Sequence, residues 1–415
     1  LKVTDLKVLE REGGPVFEAM AHINPSQLAR PGQEQAAAMP LLMYDLDRNG
    51  FSEVILPASN LVFWNKGEGQ VSDAPLLPNA PKTMDGATLA DFTGDGFVAL
   101  FVLPREADAE LYVGDSRGRF HGKPRRIAVP IEYRGVGYAC PAGDIDDDGD
   151  LDLFVTQYQP PYLKGQFPTP FYDANDGWPA CLLLNDGNGN FSDGTVKAGL
   201  ESKRYRRTYS SSFVDLDDDS DLDLVVINDF AGLDVYLNDG RGRFTDVTTQ
   251  LGEDRFSFGM SHALADFDRD GRLDLYMTGM GSTTARRMES MGLGREDFPE
   301  HQLHRLKLGY GNRMLLNTDK GLRQASFNDA VARTGWSWGC TAFDFDNDGD
   351  FDYILGNHGL NSKYVAEVNQ PIQLYAKDFD RNGQIDPIIT HYLNGKERLV
   401  NSRDCLLYTS DAADE

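Results

Sequence analysis

Seven short acidic stretches of one pattern, D-x-D-x-[DN]-G-x-x-[DE], constrain this chain more than any other feature. They read DLDRNGFSE (45–53), DFTGDGFVA (91–99), DIDDDGDLD (144–152), DLDDDSDLD (215–223), DFDRDGRLD (266–274), DFDNDGDFD (344–352) and DFDRNGQID (378–386). The two most crowded copies put six aspartates into nine residues, and the fourth copy runs straight into the apolar LVVIN. Carboxylates that close repel one another unless something positive sits among them. Successive copies begin 34 to 78 residues apart. A period of that length marks a supersecondary unit that stacks on its neighbours.

Residues 209–247 show the unit most clearly. YSSSFV alternates toward the acidic loop as a strand does, and LDLVVIN after it is β-branched and apolar. LDVYLNDGRGRF then supplies a third strand, a turn at Asp239-Gly240 and the start of a fourth strand, RFTDVT. The same third-strand-and-turn text recurs as CLLLNDGNGNFSD (181–193), LVFWNKGEGQVSD (61–73) and ELYVGDSRGRF (110–120), with RMLLNTDKGLRQASF (313–327) a looser copy. Four antiparallel strands, repeated about seven times, predict an all-β protein: a β-propeller of about seven four-stranded blades, with the acidic loop between the first and second strands. EF-hands are excluded. Position 12 of each copy, where an EF-hand needs Glu, is Leu56, Val102, Val155, Val226, Met277, Leu355 or Ile389.

Within a loop, the side chains at positions 1, 3, 5 and 9 and the backbone carbonyl at position 7 can converge on one point. Oxygen donors without nitrogen or sulfur predict Ca²⁺. The expected ligands are Asp45, Asp47, Asn49, Phe51 and Glu53 in the first loop, and Asp144, Asp146, Asp148, Asp150 and Asp152 in the third. The fourth loop offers Asp215, Asp217, Asp219, Asp221 and Asp223; the fifth offers Asp266, Asp268, Asp270, Arg272 and Asp274. The sixth offers Asp344, Asp346, Asp348, Asp350 and Asp352, and the seventh Asp378, Asp380, Asn382, Gln384 and Asp386. The second loop has Thr93 at position 3 and Ala99 at position 9, so it is expected to be weak or empty, leaving about six sites. The fourth has Ser220 in place of glycine, which predicts a strained bend with its ligands intact.

The 415 residues are 40% hydrophobic, enough for a large core. A net charge of −25, concentrated in the loops, argues against nucleic acid and anionic membranes as partners. No apolar run reaches the roughly 20 residues of a membrane span. Cys140, Cys181 and Cys340 lack metal-motif spacing and are read as small buried residues. The final eleven residues, CLLYTSDAADE (405–415), match a reading frame of a sequencing-library adapter and are expected not to be protein. The repeat region is therefore taken as 41–404, with the natural chain expected to continue beyond it. Residues 1–40 form a flank that is a candidate for ring-closing strands.

The loop motif between two strands in blade-length repeats resembles the FG-GAP/VCBS propellers related to the integrin α-subunit head. Phe258-Gly259 before Asp266 matches the FG element. The stretches YDANDGWPACLLLNDGNGNF (172–191) and ARTGWSWGCTAFDFDNDGD (332–350) are similar to the ASPIC/UnbV and cartilage-acidic-protein type. Residues 356–387 are similar to a bacterial surface variant of the same repeats. The resemblance implies an exported calcium propeller that binds an extracellular protein or glycan. A calcium-dependent, lyase-like enzyme acting on polysaccharides is the alternative it leaves open.

Nothing catalytic stands out. HExxH, GxSxG and P-loop patterns are absent, and no enzyme activity is expected. His301 and His304, three apart, are read as part of a solvated helix, and His262 as packed in its strand. Two long connections fall between second and third strands: 157–179, rich in Tyr, Phe, Trp and Pro, and 281–311, basic at its Arg pair. Long loops on a rigid scaffold are the usual place for recognition. The expected ligand surface is Tyr162, Phe167, Tyr172, Trp178, Arg286 and Arg287, at the blade ends opposite the acidic loops.

Overall fold

The structure, a computed structural model, describes residues 40–67, 70–105, 107–130, 139–162, 165, 167–294, 297, 299–333, 337–343, 352–356, 373–377, 386–393 and 395–399, mostly as backbone alone from 352 onward. The N-terminal flank, the sixth and seventh acidic loops up to their ninth positions, and the last eleven residues lie outside the described residues.

Five four-stranded antiparallel sheets are present, each with its strands in chain order. The first blade holds Leu42–Tyr44, Glu53–Leu56, Leu61–Asn65 and Val71–Pro75. The second holds Gly86–Ala90, Ala99–Leu103, Ala109–Tyr112 and Arg125–Ile127. The third holds Ala142–Gly143, Asp152–Val155, Cys181–Asn185 and Phe191–Asp193. In the fourth the strands are Arg207–Val214, Asp223–Asp229, Gly232–Asn238 and Phe244–Asp246. In the fifth they are Gly259–Ala265, Asp274–Gly279, Arg313–Thr318 and Gly321–Gln324. Gly339–Phe343 pairs with Asp352–Gly356, and Gln373–Lys377, Asp386–Leu393 and Lys396–Leu399 form a three-stranded sheet. The fold is all-β, of the β-propeller class.

The chain divides into two compact units. One comprises Leu1–Gln157 with Cys181–Val196, the other Tyr158–Ala180 with Lys197–Glu415. Blades one to three lie in the first unit. Blades four and five lie in the second, together with the aromatic insertion of the third blade.

Beyond its first residue, the second strand of each of the five blades is largely apolar because both of its faces are buried. In the second blade, Leu100 and Val102 point one way, to Ile55, Val62 and Trp64 of the first blade. Phe101 and Leu103 point the other way, to Leu153, Val155 and Leu183 of the third. In the second unit, Val225, Ile227 and Val235 pack on Leu275, Met277 and Leu315. Burying one such side chain stabilises by about 1.5–3 kcal/mol. Cys140 and Cys181 are buried, both within the apolar core between the second and third blades. Both long connections leave between second and third strands, as the spacing predicted. In an antiparallel blade that is the strand end opposite the acidic loop.

Candidate metal centres on the acidic loops

The register of the first two strands positions each loop. The residue before position 1 pairs with position 9: Tyr44 with Glu53, Gly143 with Asp152, Val214 with Asp223 and Ala265 with Asp274. Position 9 is thus the first residue of the second strand, and all four of these carboxylates are buried.

Two backbone clasps shape the loop. The position-1 carboxylate accepts the N–H groups of positions 5 and 6: Asn49 and Gly50 on Asp45 (3.0 and 2.8 Å). Asp148 and Gly149 donate likewise to Asp144, Asp219 and Ser220 to Asp215, and Asp270 and Gly271 to Asp266. The position-9 carboxylate closes the base. Asp223 accepts Leu216 N at 2.9 Å and Asn238 N at 2.8 Å; Asp274 accepts Phe267 N at 2.9 Å and Asn317 N at 2.7 Å. Glu53 accepts Leu46 N and Asn65 N in the same way. Each carboxylate oxygen keeps a lone pair beyond its N–H contact.

These clasps bring the acids together. Ligand oxygens of Asp45, Asp47 and Glu53 lie within 4.8 Å of one another, as do those of Asp215, Asp217 and Asp223, and of Asp266, Asp268 and Asp274. In the third loop the group is Asp144, Asp146 and Asp148. The second loop supplies two carboxylates, Asp91 and Asp95. At position 5, Asn49, Asp219 and Asp270 turn a side-chain oxygen to the N–H of position 7, and Asp148 does so as well. At position 7 of the fifth loop, the Arg272 side chain donates to Asn317 O and pairs with Asp319 and with Asp270 of its own loop. Asp352 and Asp386 begin second strands, as their counterparts do.

The cluster fits a hard cation. Its donors are all oxygen, and Asp47 Oδ1 is buried with no hydrogen-bond partner among the described residues. Burial, followed by neighbouring carboxylates, pushes the position-9 acids up: Asp152 to about 7 and Asp223 to about 6, with Glu53 and Asp274 raised as well. A cation reverses that cost by stabilising the charged form. Ser220 takes the left-handed backbone expected of the glycine it replaces, at φ 75°.

One group of supporting residues escaped the sequence reading. In four blades an asparagine stands at or one residue before the end of the third strand, Asn65, Asn185, Asn238 and Asn317, and each side-chain amide donates into an acidic loop. Asn65 reaches Ser52 O, Asn185 reaches Leu151 O and Asn238 reaches Leu222 O, each the eighth position of its own loop. Asn185 also reaches Phe92 O, and Asn317 reaches Leu216 O, in the loop of the preceding blade. The signal was present in the repeated WNKG, LNDG and LNTD text, which reads first as turn sequence.

Helices α1 (Thr283–Ser290) and α2 (Pro299–Leu308) form the second insertion, in keeping with the one or two short helices its sequence suggests. The solvated helix expected around His301 and His304 is corrected: His304 stacks on Tyr172 at 4.3 Å and packs on Phe256, and His301 lies against Phe171. Tyr172 and Trp178 are half-buried, whereas Tyr162 and Phe167 are 52% and 66% exposed and touch edge to face. Arg286 and Arg287 are exposed on α1. Ion pairs fasten the aromatic insertion: Arg206 to Asp173 (2.7 Å) and Asp234 (2.9 Å), Arg255 to Asp173, and Arg207 to Asp176. His262 sits in its strand between Ser210 and Ser212, and burial pushes it down to about 4, so it is neutral at pH 7. Among the described residues, no helix is long and apolar enough to cross a membrane.

Blades of this topology, each opened by a carboxylate loop, define a repeat propeller with candidate metal centres. The family profile described as the FG-GAP-like repeat matches twice, over residues 91–155 and 215–277, so the chain carries FG-GAP-like repeats. No curated protein matches it. Among solved structures it is similar to BBS1N in complex with ARL6DN, at 11% identity over 88% of this chain and 93% of that one, with a TM-score of 0.42. It is also similar to the V. cholerae biofilm matrix protein Bap1, at 12% identity over 88% and 59% of the two chains, with a TM-score of 0.33.

Proposed function

We propose that the chain is an exported, calcium-stabilised module that binds an extracellular protein or glycan without transforming it. The observation that carries this reading is the fourfold recurrence of one carboxylate cluster, clasped by the same backbone donors at the start of a buried strand. Hard oxygen donors of this kind suit Ca²⁺, and extracellular modules bind it at about 0.1–1 mM. Asp45, Asp47 and Glu53 and their counterparts hold the cation, which supplies the positive charge that lets them sit together.

Recognition falls to the insertions. Tyr162 and Phe167 offer rigid amphipathic area on a segment fastened by buried arginines, and Arg286 and Arg287 add positive charge to an acidic chain. Binding to a panel of immobilised polysaccharides and matrix proteins, in calcium, tests this. Tyr162→Ala with Phe167→Ala, or Arg286→Ala with Arg287→Ala, is expected to weaken the binding found at least tenfold without moving the melting temperature. Undiminished binding places recognition elsewhere, and cleavage of any polysaccharide in the panel contradicts a purely binding role.

A further inference from the structure

The turn between third and fourth strands lies at the same blade end as the acidic loop, and in the first unit it fills the seam with the preceding blade. Gly118 in the second blade approaches the first blade's loop so closely that a Cβ there would stand 2.5 Å from Leu46 O. The next residue, Arg119, lies over the Trp64 ring at 3.8 Å. Gly189 in the third blade is similarly close to Leu111 and Thr93. In these blades the turn runs five residues between paired positions, from Gly114 to Phe120 and from Asn185 to Phe191.

The fifth blade departs from this. Asn317 pairs with Leu322 and Thr318 with Gly321, so the turn is one residue shorter, and a Cβ on its glycine, Gly321, would meet open space rather than the preceding blade. The surfaces left uncovered correspond one for one to those covered in the first unit. Leu216 stands where Leu46 does in its loop, Asp217 where Thr93 does, and Leu237 where Trp64 does. All three line a cavity of about 650 Å³ between the fourth and fifth blades. That volume falls within the usual range for a small-molecule site, roughly 300–1,000 Å³.

Its chemistry is divided. Val235, Val247 and Leu251 join Leu216 and Leu237 as apolar wall, while Arg272, Lys320 and Arg323 stand at its lining from the fifth blade. Three carboxylates share that lining, Asp217 and Asp218 from the fourth acidic loop and Asp319 beside Arg272. Arg272 is engaged by Asp270 and Asp319. Lys320 and Arg323 are exposed and form no ion pair among the described residues; the Arg323 guanidinium donates only to the carbonyls of Gln250 and Leu322. A ligand that satisfies both halves has a compact apolar body and one carboxylate.

We propose that this seam is a binding site for a small amphipathic carboxylate, its apolar body between Val235, Leu237 and Leu251 and its carboxylate on Lys320 and Arg323. The site lies at the acidic-loop ends of the blades and does not rest on recognition by the insertions.

Calorimetric titration of the full chain in calcium with 4-phenylbutyrate and its neutral analogue 4-phenylbutyramide tests it. The carboxylate is expected to bind saturably at one site and the amide at least tenfold more weakly. Lys320→Ala with Arg323→Ala, both exposed, should reduce carboxylate affinity at least tenfold with the melting temperature unchanged. Leu237→Trp, which fills the seam as Trp64 does in the first blade, should also abolish binding. Absence of saturable binding, equal affinity for the amide, or binding unaffected by the double substitution overturns the proposal. Whether chelator alters the melting temperature is a separate measurement, so this site and the calcium reading can fail independently.

Discussion

Asn317 donates its side-chain amide to the backbone carbonyl of Leu216 at 2.6 Å, across 101 residues of sequence. The bond is buried and joins the end of the fifth blade's third strand to the second position of the fourth blade's acidic loop. The Leu216 N–H is held in turn by Asp223, whose other oxygen accepts Asn238 N. One loop is therefore fixed from two blades.

Asn317→Ala removes the donor and leaves that carbonyl buried and unpaired. A loss of about 1–3 kcal/mol is expected. Asn65→Ala should cost less, because its acceptor at Ser52 is exposed. Denaturant unfolding of the two variants side by side checks the order.

Loop inequality gives a second expectation. Asp217→Ala should remove one bound calcium, because Asp217 belongs to the acid group of the fourth loop. Asp91→Ala should leave the number bound unchanged. Equilibrium dialysis counts both, and equal losses contradict the ranking.

The acidic loops, the four-strand blades and the placement of both insertions were legible in the sequence because each depends on contacts within one repeat. Asp and Gly at fixed offsets report a local bend, and an apolar run reports a strand with two covered faces. Contacts between repeats left weaker marks. The asparagine at the third-strand end reads as turn chemistry until the neighbouring blade is in place. The second blade, which has Ala99 in place of the position-9 acid, has Gly114 in place of that asparagine, so the two vary together within this chain. His304 on Tyr172 joins two insertions 132 residues apart in sequence, which no periodicity encodes. The one-residue shortening at Thr318–Gly321 looked like a looser copy, and its consequence is visible only against the preceding loop.

Ser220 occupies a left-handed position that glycine fills in the other described loops. The left-handed region costs a non-glycine residue roughly 1–2 kcal/mol, offset partly by the greater chain entropy of unfolded glycine. Ser220→Gly is therefore expected to stabilise by up to about 1 kcal/mol and to leave calcium stoichiometry unchanged, as read by thermal melts and dialysis.

Burial holds Asp152 at about 7 and Asp223 at about 6, above the ordinary carboxylate range near 4. In chelator, the folded chain binds more protons than the unfolded one across that window. Stability contributed by these groups is then full below pH 4 and is lost as pH rises toward 7. Calcium requires the ionised form, so its binding at pH 6.5 should release protons. Calorimetric titrations in buffers of different ionisation enthalpy measure the release, and Asp152→Asn should diminish it.

The melting temperature in millimolar calcium and in excess chelator tests the central claim most directly. A cation that binds the folded loops and not the unfolded chain stabilises by about 2.7 kcal/mol per site at a hundredfold excess over Kd. Several loops acting together should lower the melting temperature substantially on chelation, with recovery when calcium, but not magnesium at equal concentration, is restored. An identical melting curve with and without chelator would contradict the account.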